Sequence, residues 1–183
     1  SRLYLIPAGA SPVQGAYVEM PLQALLGVIA QESVSQRCII IGEDLGTVPD
    51  GFRDKLADRG VWSYKVMMFE RGNDGTFTEA SKYAKNALVT FTTHDLASFA
   101  GWQTHSDLRV KRELGIDPGE TDEERTDARH AFEWKLGEEH IAAKNFLGAV
   151  EFLARTPSRV LAVALDDLIE LRDQPNIPGT LNE

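Results

Sequence analysis

Hydrophobic and polar positions along this chain follow two rhythms. The first is the short unbroken apolar run. Cys38-Ile39-Ile40-Ile41 stops at Gly42, Lys65-Val66-Met67-Met68-Phe69 stops at Glu70, Leu88-Val89-Thr90-Phe91-Thr92-Thr93 stops at His94, and Val160–Leu165 stops at Asp166. Runs of this length, apolar on both faces and rich in β-branched residues, predict buried strands at 38–42, 65–69, 88–93 and 160–165. The second rhythm is helical. Leu22, Leu25, Leu26 and Ile29 fall at the spacing of one buried helix face, and Pro21 suits the first turn, which predicts a helix over 21–37. Pro49 and Asp50 open a short helix carrying Phe52 and Leu56, and Gly60 closes it. A brief helical piece is expected at 79–85, and from 106 to about 155 the chain reads as mostly helical. There Thr121-Asp122-Glu123-Glu124 is a capping box, Gly137 ends that helix, and Ile141, Phe146, Val150 and Leu153 mark the buried side of the next. The run 3–6 is strand-like up to Pro7, residues 7–15 read as a loop, and the tail from Gln174 is loop-like.

Strands separated by helices predict a parallel α/β sheet covered by helices. Polar residues follow every strand: Glu43-Asp44, Glu70-Arg71, His94-Asp95 and Asp166-Asp167. Parallel α/β folds bind ligands at the carboxyl ends of their strands, so all four ends are able to serve one site. Four such units are half of an eight-stranded barrel. The chain opens at once on strand-like sequence and stops without an evident terminal helix, as a piece of a longer protein would.

Composition removes several function classes. Of the 183 residues, 43% are hydrophobic and 26% charged, the balance of a soluble globular domain. A net charge of −9 argues against a nucleic-acid surface, which needs a basic patch. No apolar run nears the roughly 18 residues needed to span a bilayer, and no signal-peptide pattern opens the chain. The single cysteine, Cys38, heads an apolar run and reads as a core thiol, so no intrachain disulfide is possible and a cytoplasmic setting fits.

The acidic strand ends carry the candidate chemistry. Retaining glycosidases and transglycosylases need two carboxyl groups flanking the scissile bond, one a nucleophile and one an acid that becomes a base. A third acid can hold sugar hydroxyls and favour the oxocarbenium-like transition state. Glu43, with Asp44 beside it and an apolar strand behind, suits the acid/base task, for which a neighbouring carboxylate and partial burial are helpful. Asp95, next to His94, suits a ligand clamp. Phe69, Trp62 and Trp102 are candidates to stack on sugar faces, and for Phe69 and Trp62 the alternative is a place in the core. Asp166 and Asp167 fit caps of a following helix better than chemistry.

Three blocks together, Ile41-Gly42-Glu43-Asp44-Leu45-Gly46-Thr47-Val48-Pro49, Thr92-Thr93-His94-Asp95 and Ala100-Gly101-Trp102, resemble the 4-α-glucanotransferases, the amylomaltase or disproportionating-enzyme family (glycoside hydrolase family 77). Ile6-Pro7, Gly15-Ala16-Tyr17-Val18 and Pro21 upstream, and Leu165-Asp166-Asp167-Leu168 and Asn176-Ile177-Pro178-Gly179-Thr180 downstream, fit the same pattern in order. The resemblance implies a (β/α)8 barrel of the α-amylase clan, with this chain as its C-terminal half, about strands five to eight, and a mostly helical insertion at about 104–156. It implies an enzyme that breaks an α-1,4-glucan bond, keeps one part as a glycosyl-enzyme and passes it to the 4-hydroxyl of another glucan. In that frame Glu43 is the general acid/base, Asp95 the transition-state stabiliser, and His94, Phe69 and Asn176 contact the sugar. α-1,4-Glucans and maltooligosaccharides are the partners, with no nucleic acid, membrane, metal or organic cofactor in the chemistry.

One part of the family pattern is missing. The nucleophile is an Asp in an Arg-x-Asp-His setting after the fourth strand, and no such motif occurs here. The expectation is therefore that the nucleophile lies upstream, that this chain alone is inactive, and that it associates with its missing N-terminal half or with itself, since an open half-barrel exposes a strand edge. The competing readings are a non-catalytic glucan-binding half-domain, hydrolysis in place of transfer, and a His-Asp metal phosphohydrolase. That last class needs further His and Asp ligands, and the remaining histidines are His105, His130 and His140.

Overall fold

In the computed structural model, which describes residues 2–46 and 48–180, the chain divides into two compact units, one ending at Trp62 and one starting at Ser63.

The first unit begins with β1 (Arg2–Leu5) paired antiparallel with β2 (Ala16–Glu19), Arg2 opposite Glu19 and Leu5 opposite Ala16. The Tyr4 hydroxyl donates to the Pro12 carbonyl at 2.6 Å, and its ring meets Tyr17 at 5.0 Å. This hairpin was legible only as an apolar run and a loop, because β2 carries no apolar-polar contrast strong enough to announce it. Helix α1 (Leu22–Gln36) starts directly after Pro21 as the spacing predicts, and Arg37 closes it in the left-handed conformation. Its apolar face is less covered than predicted: Leu26 is buried, while Leu25, Val28 and Ile29 are exposed. Helix α2 (Phe52–Ala57) follows, with Gly60 at φ 73° in the turn beyond it.

The predicted strand at 38–42 is corrected. Among the described residues it is an isolated parallel bridge between Ile41 and Trp62, in which the Gly42 amide donates to the Trp62 carbonyl at 2.8 Å and the Trp62 amide to that of Ile40 at 2.9 Å. Ile39 is 58% exposed and Cys38 is exposed too, so neither is the core residue expected. An apolar run becomes a buried strand only where neighbours cover both faces and both edges. Here the backbone pairing with Trp62 runs along one edge.

The second unit holds one parallel sheet, ordered β3 (Ser63–Val66), β4 (Ala87–Thr90) and β5 (Val160–Leu161). Ser63 lies opposite Ala87, and Leu88 opposite Val160. Two strands are shorter than their apolar runs. Met67–Phe69 turns into a 3-10 helix, and Leu165–Leu168 forms a short helix, α7, instead of extending β5. An unbroken apolar run by itself fixes neither burial nor backbone conformation. Met67 is fully buried within its turn, whereas Leu165 and Leu168 are exposed.

Helices fill the chain between β4 and β5. They are α3 (Phe99–Thr104), α4 (Ser106–Glu113), α5 (Asp122–Glu138) and α6 (Phe146–Ala154), so helix begins earlier than the predicted residue 106. The capping box forms as read: the Thr121 amide donates to Glu124 at 2.7 Å and the Glu124 amide to the Thr121 hydroxyl at 3.2 Å. Gly137 does not end α5, which continues to Glu138.

Aromatic side chains make the core of this unit. The Phe91 ring lies 4.9 Å from Phe99, 5.7 Å from Trp102, 6.3 Å from Phe132 and 6.4 Å from Phe146, in the edge-to-face arrangement that aromatic quadrupoles favour. A buried ion pair ties the helices beside it. Arg125 donates to both Asp107 oxygens at 2.8 and 2.9 Å, to the Trp102 carbonyl at 3.0 Å, and to Glu120. Burial works against the guanidinium charge, but the hydrogen bonds to Asp107 and Glu120 more than offset it. No helix among the described residues is long and apolar enough to cross a membrane.

Candidate active site

Glu43 and Asp44 follow the bridged segment 40–42 directly. The Glu43 side chain is exposed, which departs from the expected partial burial. Asp44 turns the other way and is 5% exposed. Its carboxylate accepts from Arg53 Nε at 3.0 Å, and its carbonyl accepts from the same guanidinium at 2.7 Å. This pairing fixes the backbone next to Glu43 to the start of α2. It also changes the reading of Asp44, whose negative charge lies against a cation.

In the second unit, Asp95 lies past the carboxyl end of β4. Its amide donates to the Thr93 hydroxyl at 3.3 Å, in a short turn beyond the strand. His94 Nε2 lies 3.4 Å from the Asp95 carboxylate, so the predicted pair is close, and both side chains remain accessible. Asn176 Nδ2 donates to the same carboxylate at 2.5 Å. Two residues picked separately from the sequence, 81 positions apart, thus meet at one carboxyl group. Phe69 lies at the carboxyl end of β3 and is 52% exposed, a position open to a stacking role.

Trp102 is corrected. It is 1% exposed and belongs to the aromatic core, so it is no sugar platform. Trp62 is half-buried and takes part in the bridge to 40–42. Asp166 and Asp167 lie in the first turn of α7 but do not cap it, since its N-cap is Ala164 with no side-chain cap hydrogen bond; Asp167 instead serves a different helix, its carboxylate accepting from the Phe99 amide at 2.6 Å, at the start of α3. Burial pushes the Asp167 carboxyl above the usual carboxylate value. The Phe99 amide pulls it down and the charge of Asp166 adds to the rise.

Sequence reading missed how firmly the segment after β5 holds the loop after β4. The Ser98 hydroxyl donates to the Leu171 carbonyl at 2.5 Å, and Ser106 to the Arg172 carbonyl at 3.2 Å. Gln174 Nε2 donates to the Asp95 carbonyl at 3.0 Å. Gly101 shows how close the two segments run, because a Cβ there would lie 2.6 Å from the Arg172 carbonyl oxygen. No local pattern signals these contacts, which join residues more than 60 positions apart. Between the two segments lies a cavity of about 190 Å³, bordered by Thr92, His94, Ser98, Asp166, Asp167 and Pro175.

Parallel strands, each followed by helix or turn, with carboxylates beyond their carboxyl ends, define an α/β protein of the kind that binds ligands at that rim. The model of the 4-alpha-glucanotransferase family, glycoside hydrolase family 77, matches residues 1–183, and the chain belongs to this family. The 4-alpha-glucanotransferase of Mycobacterium tuberculosis is 36% identical over 197 residues, covering 100% of this chain and 27% of that protein. The one from Haemophilus influenzae is 35% identical over 200 residues, covering 100% of this chain and 28% of that protein. The chain therefore spans only about a quarter of the length of these relatives. Amylomaltase from Corynebacterium glutamicum superposes with a TM-score of 0.82 at 28% identity, over 98% of this chain and 28% of the other. Amylomaltase from Streptococcus agalactiae, solved in complex with acarbose, shares the fold at a TM-score of 0.64 and 19% identity, over 100% of this chain and 34% of the other.

Proposed function

We propose that this chain is the acid/base and transition-state half of a 4-α-glucanotransferase, one that moves a segment of an α-1,4-glucan to the 4-hydroxyl of a second glucan with retention. Glu43 protonates the departing glycosidic oxygen and then, as a base, activates the incoming 4-hydroxyl. Asp95 stabilises the oxocarbenium-like charge, and His94, Phe69 and Asn176 contact the sugar. The nucleophile that forms the glycosyl-enzyme belongs to a portion of the protein upstream of this sequence, and this chain alone does not turn over glucan. The chain supplies about strands five to eight of a (β/α)8 barrel, with the helical stretch 104–156 as an insertion, in a cytoplasmic enzyme of glucan metabolism. No step of this chemistry needs a metal or an organic cofactor.

The observation that carries this reading is the Asp95 carboxylate, held beyond a parallel strand by Asn176, in a chain that the family model matches from end to end. The relative solved with acarbose, an oligosaccharide analogue, supports glucan as the ligand class. The test is Glu43→Gln in the longest form of the protein that converts maltotriose. Loss of all products with maltooligosaccharide binding kept supports the assignment, because the shape stays and the proton is gone. Near-normal turnover removes Glu43 from its role.

A further inference from the structure

We propose that Gln174 is a positioning residue for the reaction, holding Asp95 and Asn176 in register through a single amide group. The inference rests on the assignment of Asp95 as transition-state stabiliser. Gln174 Nε2 donates twice, to the Asp95 carbonyl at 3.0 Å and to the Asn176 carbonyl at 2.8 Å. Asn176 in turn donates from its side chain to the Asp95 carboxylate. The three residues close a ring: Gln174 fixes both backbones, and Asn176 aims the carboxylate. The Asp95 backbone is thereby held from the strand side by its amide's bond to the Thr93 hydroxyl and from the tail side by Gln174, while Asn176 limits rotation of its carboxylate.

The other end of the same amide explains why this is more than loop packing. Gln174 Oε1 is buried and has no hydrogen-bond partner in the described structure. Leaving a buried acceptor unmet is costly, and such groups are uncommon in folded proteins. Turning the amide over would bring Oε1 against two carbonyl oxygens, which is worse, so the amide is held in one orientation by the two acceptors. An apolar residue would fill the space without the unmet acceptor. What a glutamine adds is the pair of N–H donors, and both go to the residues assigned to the sugar. Preorganised groups that need no rearrangement as charge develops are the main source of electrostatic catalysis, and small misplacements are expensive.

The test uses the full-length, active enzyme with maltotriose as substrate, comparing Gln174→Met, Gln174→Glu and, as a reference in the same loop, Asp173→Asn. Methionine keeps length and volume without donors, and glutamate keeps shape while placing an acceptor against two carbonyls. The expected result is a fall in kcat of about ten- to a hundredfold for both Gln174 variants, with KM nearly unchanged and Asp173→Asn within about twofold of the parent. In the 183-residue chain, the same variants should shift the Asn176 side-chain amide signals in a 1H–15N spectrum, which a general loss of stability would not do selectively. Wild-type kcat in Gln174→Met, or a loss of thermal stability with unchanged kcat, overturns the proposal. Asp95→Asn run alongside separates the two levels. If it is inactive while Gln174→Met is normal, only the positioning role fails. If Asp95→Asn is itself nearly normal, the assignment beneath it fails, and the proposal with it.

Discussion

Asn176 donates its side-chain amide to the carboxylate of Asp95, joining the loop after β4 to the segment after β5. The contact gives the carboxylate an orientation that its own loop cannot. Asn176→Asp should set two carboxylates against each other and swing Asp95 away. Turnover of maltotriose by the full-length enzyme should fall by about a hundredfold, by the scale of small misplacements at a reacting centre. Steady-state kinetics checks this, and unchanged kcat would show that the contact has no part in the reaction.

Phe69 offers an exposed ring at the end of β3. Phe69→Ala should raise KM for maltotriose severalfold and leave kcat nearly intact, because a stacking contact held equally in ground and transition states is uniform binding. Its half-exposed position implies a stability change within about 1 kcal/mol, measurable by thermal unfolding.

The sequence carried the order of strands and helices and the acidic strand ends, because burial and helical periodicity leave marks on neighbouring residues. It carried less of the boundaries. The apolar runs ending at Phe69 and at Leu165 do not fix backbone conformation at their ends, and Met67–Phe69 and Leu165–Leu168 both turn instead of extending. It carried least of the contacts that shape the site. Nothing near Gln174, Asp167 or Arg53 says that their partners are Asp95, Phe99 and Asp44. Those pairings are made by the tertiary fold, and the family blocks named only some of their members.

Asp107 and Arg125 form a doubly hydrogen-bonded pair among the helices between β4 and β5. Asp107→Ala leaves the buried guanidinium short of its main partner. The expected loss is about 3–5 kcal/mol, since breaking a buried pair from one side strands the other charge. Chemical denaturation of the 183-residue chain checks this, and a loss under about 1 kcal/mol would mean that Glu120 and the Trp102 carbonyl suffice.

Asp167 gives a pH signature. Its carboxyl is raised in the folded protein, by burial first, so the folded state holds its proton more tightly than the unfolded chain. Stability from this group is greatest below the unfolded value, near pH 4, and is lost as pH rises through the folded one. Asp167→Asn keeps an acceptor for the Phe99 amide and removes the titration. It should match or exceed the parent in melting temperature at pH 7, and the difference should shrink towards pH 4. Melting curves across that range check the sign, and an Asn variant less stable at pH 7 than at pH 4 relative to the parent would reverse it.

The most direct measurement is to incubate the 183-residue chain with maltotriose, alone and together with the upstream portion of its parent protein, and to resolve the products by chain length. The account predicts no product from the chain alone, and glucose with longer maltooligosaccharides once the upstream portion is present. Transfer by the chain alone would contradict it, because the nucleophile would then lie within these residues, with Asp44, Asp166 and Asp167 as the acids to test.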